Sequence, residues 1–328
     1  APSVRQIITT NSNGAAVPFQ WVSLDDTRKG LLDANWKTAA EAQDKLNYLR
    51  GDTSKAIANV IKKGTFRNRA NRLGDIVNSN PNFVGAPNAG HGDAAYANFR
   101  LTYINRTPIV YAASNDGMLH GFNASNNPVT WGAEVLAFMP SKAALKTNKL
   151  TNQTYQHEYF VDGSPEVQDV CTTPHAAADV CGGWATVLAG TQAAGGQSVF
   201  LLDVTNPSTF SEANAANIVK WEFTDADDPD LGNSMGQPII RRMANGKWAV
   251  IVSGGYNNSQ ADGAASTTGY GVIFILFTSG PTGANGTWTP NVDYIKLTTA
   301  TGSVATPNGL AQPFAADINT DGIMDFLY

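Results

Sequence analysis

The sequence predicts an all-β protein, a partial β-propeller preceded by a short α-helical segment. Three observations carry this expectation: a turn-rich composition, one strand-turn-strand unit that recurs along the chain, and a single early stretch with apolar positions at helical spacing. Only 15% of the 328 residues are charged, and 31 Gly and 16 Pro stand among many Asn, Thr and Ser, which suits short strands joined by turns. A hydrophobic content of 42% can fill the core of one large or two ordinary domains.

Taken in chain order, "VRQIITT" and "AAVPFQWV" alternate apolar and polar residues and read as short strands. From Ser23, "SLDDTRKGLLDANWKTAAEAQDKLNYLRGD" begins with a capping-type Ser and acidic residues, continues with apolar positions at helical spacing and breaks at Gly51. A second short helix is expected through "SKAIANVIKK". Half of the Lys and Arg, 11 of 22, lie between Arg28 and Arg72 and fit the solvated face of these helices. Residues 1–72 therefore read as an N-terminal region of strands and helices, and residues 73–328 as the β domain.

Within that domain, segments 107–126, 182–206 and 245–280 each hold an apolar strand, a Gly- or Asn-rich turn, a second apolar strand and a polar turn. Such units cannot bury both faces alone. Radial packing of four-stranded blades lets them share a core, and a β-sandwich is the alternative.

The net charge of −5 argues against a nucleic-acid partner, since phosphate binding needs a basic surface. No apolar run approaches a membrane span, "APSVRQ" has no signal-peptide character, and Ala1 reads as an interior start of a longer protein. Cys171 and Cys181 sit in "DVCTTPHAAADVCGGW". Their spacing fits a disulfide that closes a hairpin in an oxidising compartment, with two reduced buried thiols as the alternative.

The candidate chemistry is concentrated at the end of the chain, in "DINTDGIMDFLY". Asp317, Asn319, Asp321 and Asp325 occupy positions 1, 3, 5 and 9 of a cation-binding loop, Gly322 supplies the turn, and Ile323 offers its backbone carbonyl. Oxygen donors alone suit Ca²⁺. The loop departs from an EF-hand, because Tyr328 stands where a bidentate Glu belongs and the flanks look like strands; an acidic β-turn without metal is the alternative.

Other motifs are weaker. "DADDPDLG" offers Asp225, Asp227, Asp228 and Asp230, but Pro229 interrupts the ligand rhythm and a solvated loop is expected. "GNSMG" has the G-x-S-x-G spacing around Ser234 without the strand-then-helix context of a hydrolase. His91, His120, His157 and His175 lack zinc-ligand spacing. Arg50, Gly51 and Asp52 form an RGD tripeptide, which suggests an accessible turn able to engage integrins; the end of a helix explains Gly51 equally well.

Several stretches together resemble the type IV pilus biogenesis and tip-associated adhesin family, PilC/PilY, in its C-terminal propeller. They are "YLRGD", "FRNRANRLGDIVNSNPNFVGAP", "VYAASNDGMLHGFNA", "WATVLAGTQAAGGQSVFLLDVT", "LGNSMGQPIIRR", "KWAVIVSGGYNN" and "DINTDGIMDFLY", in family order from residue 48 onward. The resemblance implies a non-enzymatic protein of the bacterial surface, pilus tip or outer membrane, exported through the periplasm. Its propeller would bind calcium in the Asp317 loop and couple that binding to pilus extension and retraction, with the pilus and its minor pilins as partners. It also implies that this chain holds about the first half of a propeller, the remaining blades coming from further chain or a partner. The alternative is a quinoprotein-dehydrogenase-like propeller, whose blades share the pattern of residues 110–124.

Overall fold

The computed structural model describes residues 2–32, 38–57, 65–173, 181–260 and 263–328. The early strands form as β1 (Ile7–Thr10) and β2 (Ala16–Pro18), followed by α1 (Asp26–Leu32) and α2 (Ala39–Leu49). Asp25 rather than Ser23 caps α1, its carboxylate accepting from the Arg28 N–H at 2.9 Å. Gly51 ends α2 in the left-handed region, φ 106°, with its N–H on the Tyr48 carbonyl and that of Asp52 on the Asn47 carbonyl. Those two bonds make a Schellman cap. The expected second helix does not begin within residues 54–57, which form a turn and an isolated bridge from Ala56 to Phe66; residues 58–63 of that stretch lie outside the described residues.

Three sheets follow. The first gathers β3 (Asn82–Val84), β4 (Ile109–Ser114), β5 (Met118–Asn123) and β6 (Glu134–Met139). The second is β7 (Glu166–Cys171), β8 (Trp184–Thr191), β9 (Ser198–Asp203) and β10 (Val219–Thr224). The third is β11 (Ile239–Arg242), β12 (Trp248–Ser253), β13 (Tyr270–Phe277) and β14 (Tyr294–Gly302). A short ladder of β15 (Ala315–Ala316) and β16 (Phe326–Leu327) ends the chain. Each recurring sequence unit supplies a middle hairpin: β4-β5, β8-β9 and β12-β13.

The stacking of these sheets is written in the alternation of buried side chains, which follows the two-residue period of a strand. In the second sheet Leu188, Phe200 and Leu202 join the core shared with the first sheet, while Val187, Ala189, Val199 and Leu201 join the core shared with the third. In the third, Val250 and Val252 face the second sheet, whereas Ala249 and Ile251 face a last core closed by Ala315, Met324 and Leu327. The strands β7 and β11 pack together, as do β3 and β7. Sheets stacked face to face with neighbouring first strands are propeller blades.

Two expectations are corrected. The N-terminal region is not a separate unit: β1 runs parallel to β6, pairing Ile7 with Ala137, and extends the first sheet to the order β2-β1-β6-β5-β4-β3. Ile8, Leu46, Tyr48 and Leu49 complete the first core. The β domain also contains a helix, α3 (Ala94–Tyr103), capped by Asp93 and buried only through Tyr96 and Phe99. Two buried positions are too few for a helical pattern to stand out.

Candidate metal centre

The C-terminal loop hangs from the two-residue ladder of β15 and β16, which pairs Ala315 with Leu327 and Ala316 with Phe326. Left-handed backbone at Thr320, φ 61°, and Gly322, φ 80°, curls the chain around the Asp317 carboxylate. That carboxylate accepts from the N–H of Asp321 at 3.2 Å and of Gly322 at 2.8 Å. Asp325 accepts from the N–H of Ile318 at 2.8 Å, Asp321 from that of Ile323 at 2.8 Å, and the Asn319 side-chain oxygen from that of Asp321 at 3.0 Å. The other end of the loop is anchored to the third blade, where the Met324 N–H donates to the Arg242 carbonyl at 2.9 Å.

Asp317, Asn319, Asp321, Ile323 and Asp325 are thus brought into one exposed loop of oxygen donors, the chemistry that suits a hard cation. Each carboxylate oxygen has more than one acceptor site, so a backbone N–H does not exhaust it. The three carboxylates are strung along the loop: among the described residues, no group of three His, Cys, Asp or Glu side chains is gathered closely enough to hold a metal. The donor set fits Ca²⁺ in kind and order, and a bound ion would draw it together.

The RGD tripeptide is placed differently from the expectation. Arg50 is only 5% exposed and Gly51 is also buried. The Arg50 guanidinium pairs with Glu212 at 2.5 Å and donates to the carbonyls of Phe19 at 2.8 Å, Arg5 at 3.0 Å and Pro2 at 3.2 Å. It is a clamp between the N-terminal strands and the second blade, with Gly51 as the helix terminator.

A disulfide joins Cys171, at the end of β7, to Cys181. The acidic stretch expected in solvent is largely internal. Asp225 and Asp228 are buried, Asp225 pairs with Lys142, and Lys296 bridges Asp228 and Asp230 at 2.9 Å each. Lys142, just after β6, ties the first blade to the second, and Lys296 of β14 ties the second to the third. Ser234 is buried, and among the described residues its hydroxyl has no hydrogen-bond partner and so no general base addressing it.

Of the histidines, His91 stacks on Trp184, His157 pairs with Asp75 near the surface, and His175 lies outside the described residues. His120 is the unexpected one. Its two ring nitrogens face Asp116 at 3.0 Å and Glu134 at 2.7 Å, and Arg5 holds the far oxygen of Glu134 at 2.5 Å. Burial disfavours the imidazolium, but the two carboxylates outweigh it and push His120 up to about 9. Burial likewise opposes ionised Glu134, and the His120 and Arg5 contacts bring it down to about 2. No spacing in the sequence marks this network, because Arg5 and Glu134 meet only through the β1-β6 pairing.

The family described as PilY1 beta-propeller domain matches residues 73–328, more than three quarters of the chain. The chain belongs to the PilY1 β-propeller family. It is 36% identical to the type IV pilus biogenesis factor PilY1 of Pseudomonas aeruginosa strain PAK over 99% of its own length. A PilY1 homolog of Xylella fastidiosa strain Temecula1 is 40% identical over 74% of the chain. The chain spans 25% and 18% of those two relatives, so it corresponds to a part of each. The crystal structure of the P. aeruginosa PilY1 C-terminal domain shares 33% identity and a TM-score of 0.53, covering 75% of this chain and 42% of that one. Among the described residues no helix is long and apolar enough to cross a membrane.

Proposed function

We propose that this chain is the calcium-responsive propeller module of a type IV pilus biogenesis protein, acting at the bacterial surface without catalysis. The observation that carries the reading is the oxygen-donor loop of residues 317–325 in a member of a family whose curated relatives are named pilus biogenesis factors. Calcium would be held by Asp317, Asn319, Asp321, Asp325 and the Ile323 carbonyl. The ion neutralises three carboxylates that otherwise repel one another, and so exchanges a mobile loop for a rigid one.

Because Met324 is bonded to Arg242, rigidity gained in the loop is passed to β11 of the third blade. The partners of this reading are the pilus and its minor pilins, reached after export through the periplasm, and the effect is on extension and retraction. Adhesion through residues 50–52 is not part of the proposal, since Arg50 is committed to Glu212.

Calorimetric titration with CaCl₂ of the parent chain and of Asp325→Ala tests the site, and pilus assembly by cells carrying each form tests the function. The expected result is saturable uptake by the parent, loss of it in Asp325→Ala, and altered piliation. Equal uptake by the two forms would leave the loop a plain turn. Lost uptake with unchanged piliation would separate the metal from the pilus.

A further inference from the structure

Lys142 and Asp225 meet where the first two blades join. Lys142 stands in the short helix Ser141–Ala144 that follows β6, and Asp225 directly follows β10. The Asp225 side chain is 0% exposed and that of Lys142 15%, and Nζ of the lysine touches Oδ1 of the acid. Both ends are held in place. The Ser141 N–H donates to the Glu222 carboxylate at 2.7 Å and the Arg28 guanidinium donates to the Ser141 carbonyl at 3.3 Å, which fixes the backbone beside Lys142. Oδ2 of Asp225 accepts from the Ala264 N–H at 2.7 Å. Gly263 lies so close over the pair that a Cβ there would collide with Oδ2 and stand 3.0 Å from Nζ.

An amine and a carboxyl group fixed in contact are reactants as well as ions. The attraction of a buried ion pair barely offsets the cost of drying both charges. The Ala264 N–H draws charge from the carboxyl group through Oδ2, which makes the Asp225 Cγ a better electrophile. A proton carrier adjoins them. Asp227 and Lys142 line one cleft of about 500 Å³, and an Asp227 oxygen accepts from the Thr224 N–H at 2.8 Å. Burial holds the Asp227 carboxyl above the usual carboxylate range, with the Asp225 charge adding to it against the Thr224 bonds and the Lys142 charge.

We propose that Lys142 and Asp225 condense to an intramolecular isopeptide bond that links the first blade to the second. The Lys142 nitrogen attacks Cγ of Asp225, a C–N bond forms and the Cγ–Oδ1 bond breaks. Ammonium and carboxylate together hold the atoms of one amide and one water: the two protons shed by Nζ leave with Oδ1 as that water, and nothing is oxidised or reduced. Asp227 relays these protons, taking one from Nζ and handing one to Oδ1, and ends as it began. Oδ2 stays on the Ala264 N–H as the amide carbonyl oxygen. Fixing both reactants raises their effective concentration by orders of magnitude over free amine and acid, and the bond removes two buried charges at once.

Intact mass spectrometry of the purified full chain, reduced to open Cys171–Cys181, tests the bond. The expected mass is lower than that of the sequence by one water, and a tryptic digest should contain a branched peptide joining Lys142 to Asp225. Lys142→Arg keeps a cation against Asp225 but offers no amine, and should show the full sequence mass. Asp225→Asn should form the same bond with loss of ammonia in place of water. Asp227→Asn keeps an acceptor for the Thr224 N–H but cannot relay protons, and should leave most chains at full mass. A parent at full sequence mass, or a deficit of one water that persists in Lys142→Arg, would overturn the proposal; complete condensation in Asp227→Asn would overturn the relay.

Discussion

Replacing Arg50 by Ala removes the cation paired with Glu212 and the donor to three backbone carbonyls, those of Pro2, Arg5 and Phe19. Both side chains are shielded, with 6% of Arg50 and 10% of Glu212 exposed, so water cannot readily replace what is lost. Among the described residues, Glu212 keeps only its bonds from the Ile7 N–H at 3.2 Å and the Gln20 amide. Breaking one side of such a buried pair costs about 3 to 5 kcal/mol, whereas a surface ion pair is worth about 1 kcal/mol or less. Urea denaturation followed by tryptophan fluorescence should therefore show a midpoint shifted well below that of the parent. The double variant Arg50→Ala with Glu212→Gln should recover part of the loss, since it removes the stranded charge. A loss under about 1 kcal/mol for Arg50→Ala, with no coupling to Glu212→Gln, would refute the clamp and return the tripeptide to the surface.

Asp321→Lys should place an ammonium among the loop carboxylates and imitate the bound cation in part: calorimetry should show calcium uptake abolished, while limited proteolysis finds the loop protected, unlike in Asp325→Ala. His120 should make stability pH-dependent. Its value is raised from 6.5 to about 9, so its contribution is complete below about pH 6.5 and fades as pH rises through 9; Glu134, lowered from 4.5 to about 2, contributes above about pH 4.5 and fades towards pH 2. Urea midpoints between pH 6 and 10 should fall for the parent and stay flatter for His120→Gln, by on the order of 3 kcal/mol at most. Reducing the Cys171–Cys181 bond, which spans 10 residues, should cost about 2 to 3 kcal/mol on the chain-entropy account, measured as a lower thermal midpoint in reductant.

What could be read from the sequence was what is local. The central hairpins of all three blades were legible, because a strand, its turn and its partner lie within 30 residues of sequence or fewer and repeat. The turn of residues 317–325 was legible for the same reason, since nine residues contain it. The pairing of Ile7 with Ala137 was not, because a four-residue strand carries no mark of a partner 130 residues away. The same distance hid the roles of charged residues. "YLRGD" reads as a helix end whether Arg50 points to solvent or to Glu212, and "DADDPDLG" reads as solvated until Lys142 and Lys296 arrive from other segments. Helix α3 escaped because its polar residues outnumber the two side chains it buries.

The parallel pairing of β1 with β6 also sets an order of events. Residues 7–9 find their register only after residues 137–139 exist, and Arg50 finds its counter-ion only when residue 212 does. The entropy of closing those long loops is spent before any contact repays it, so β1, although made before β6, docks late. Until then Ile7 and Ile8, both fully buried in the finished protein, travel as an uncovered apolar edge. Pulse-labelled hydrogen exchange should find the amides of Ile8 and Thr9 protected later than those of β8 and β12; simultaneous protection would mean that β1 docks early. A polypeptide threaded through a channel in chain order would thus carry this edge across before the strand that covers it, and a chaperone waiting on the far side would meet Ile7 and Ile8 before β6.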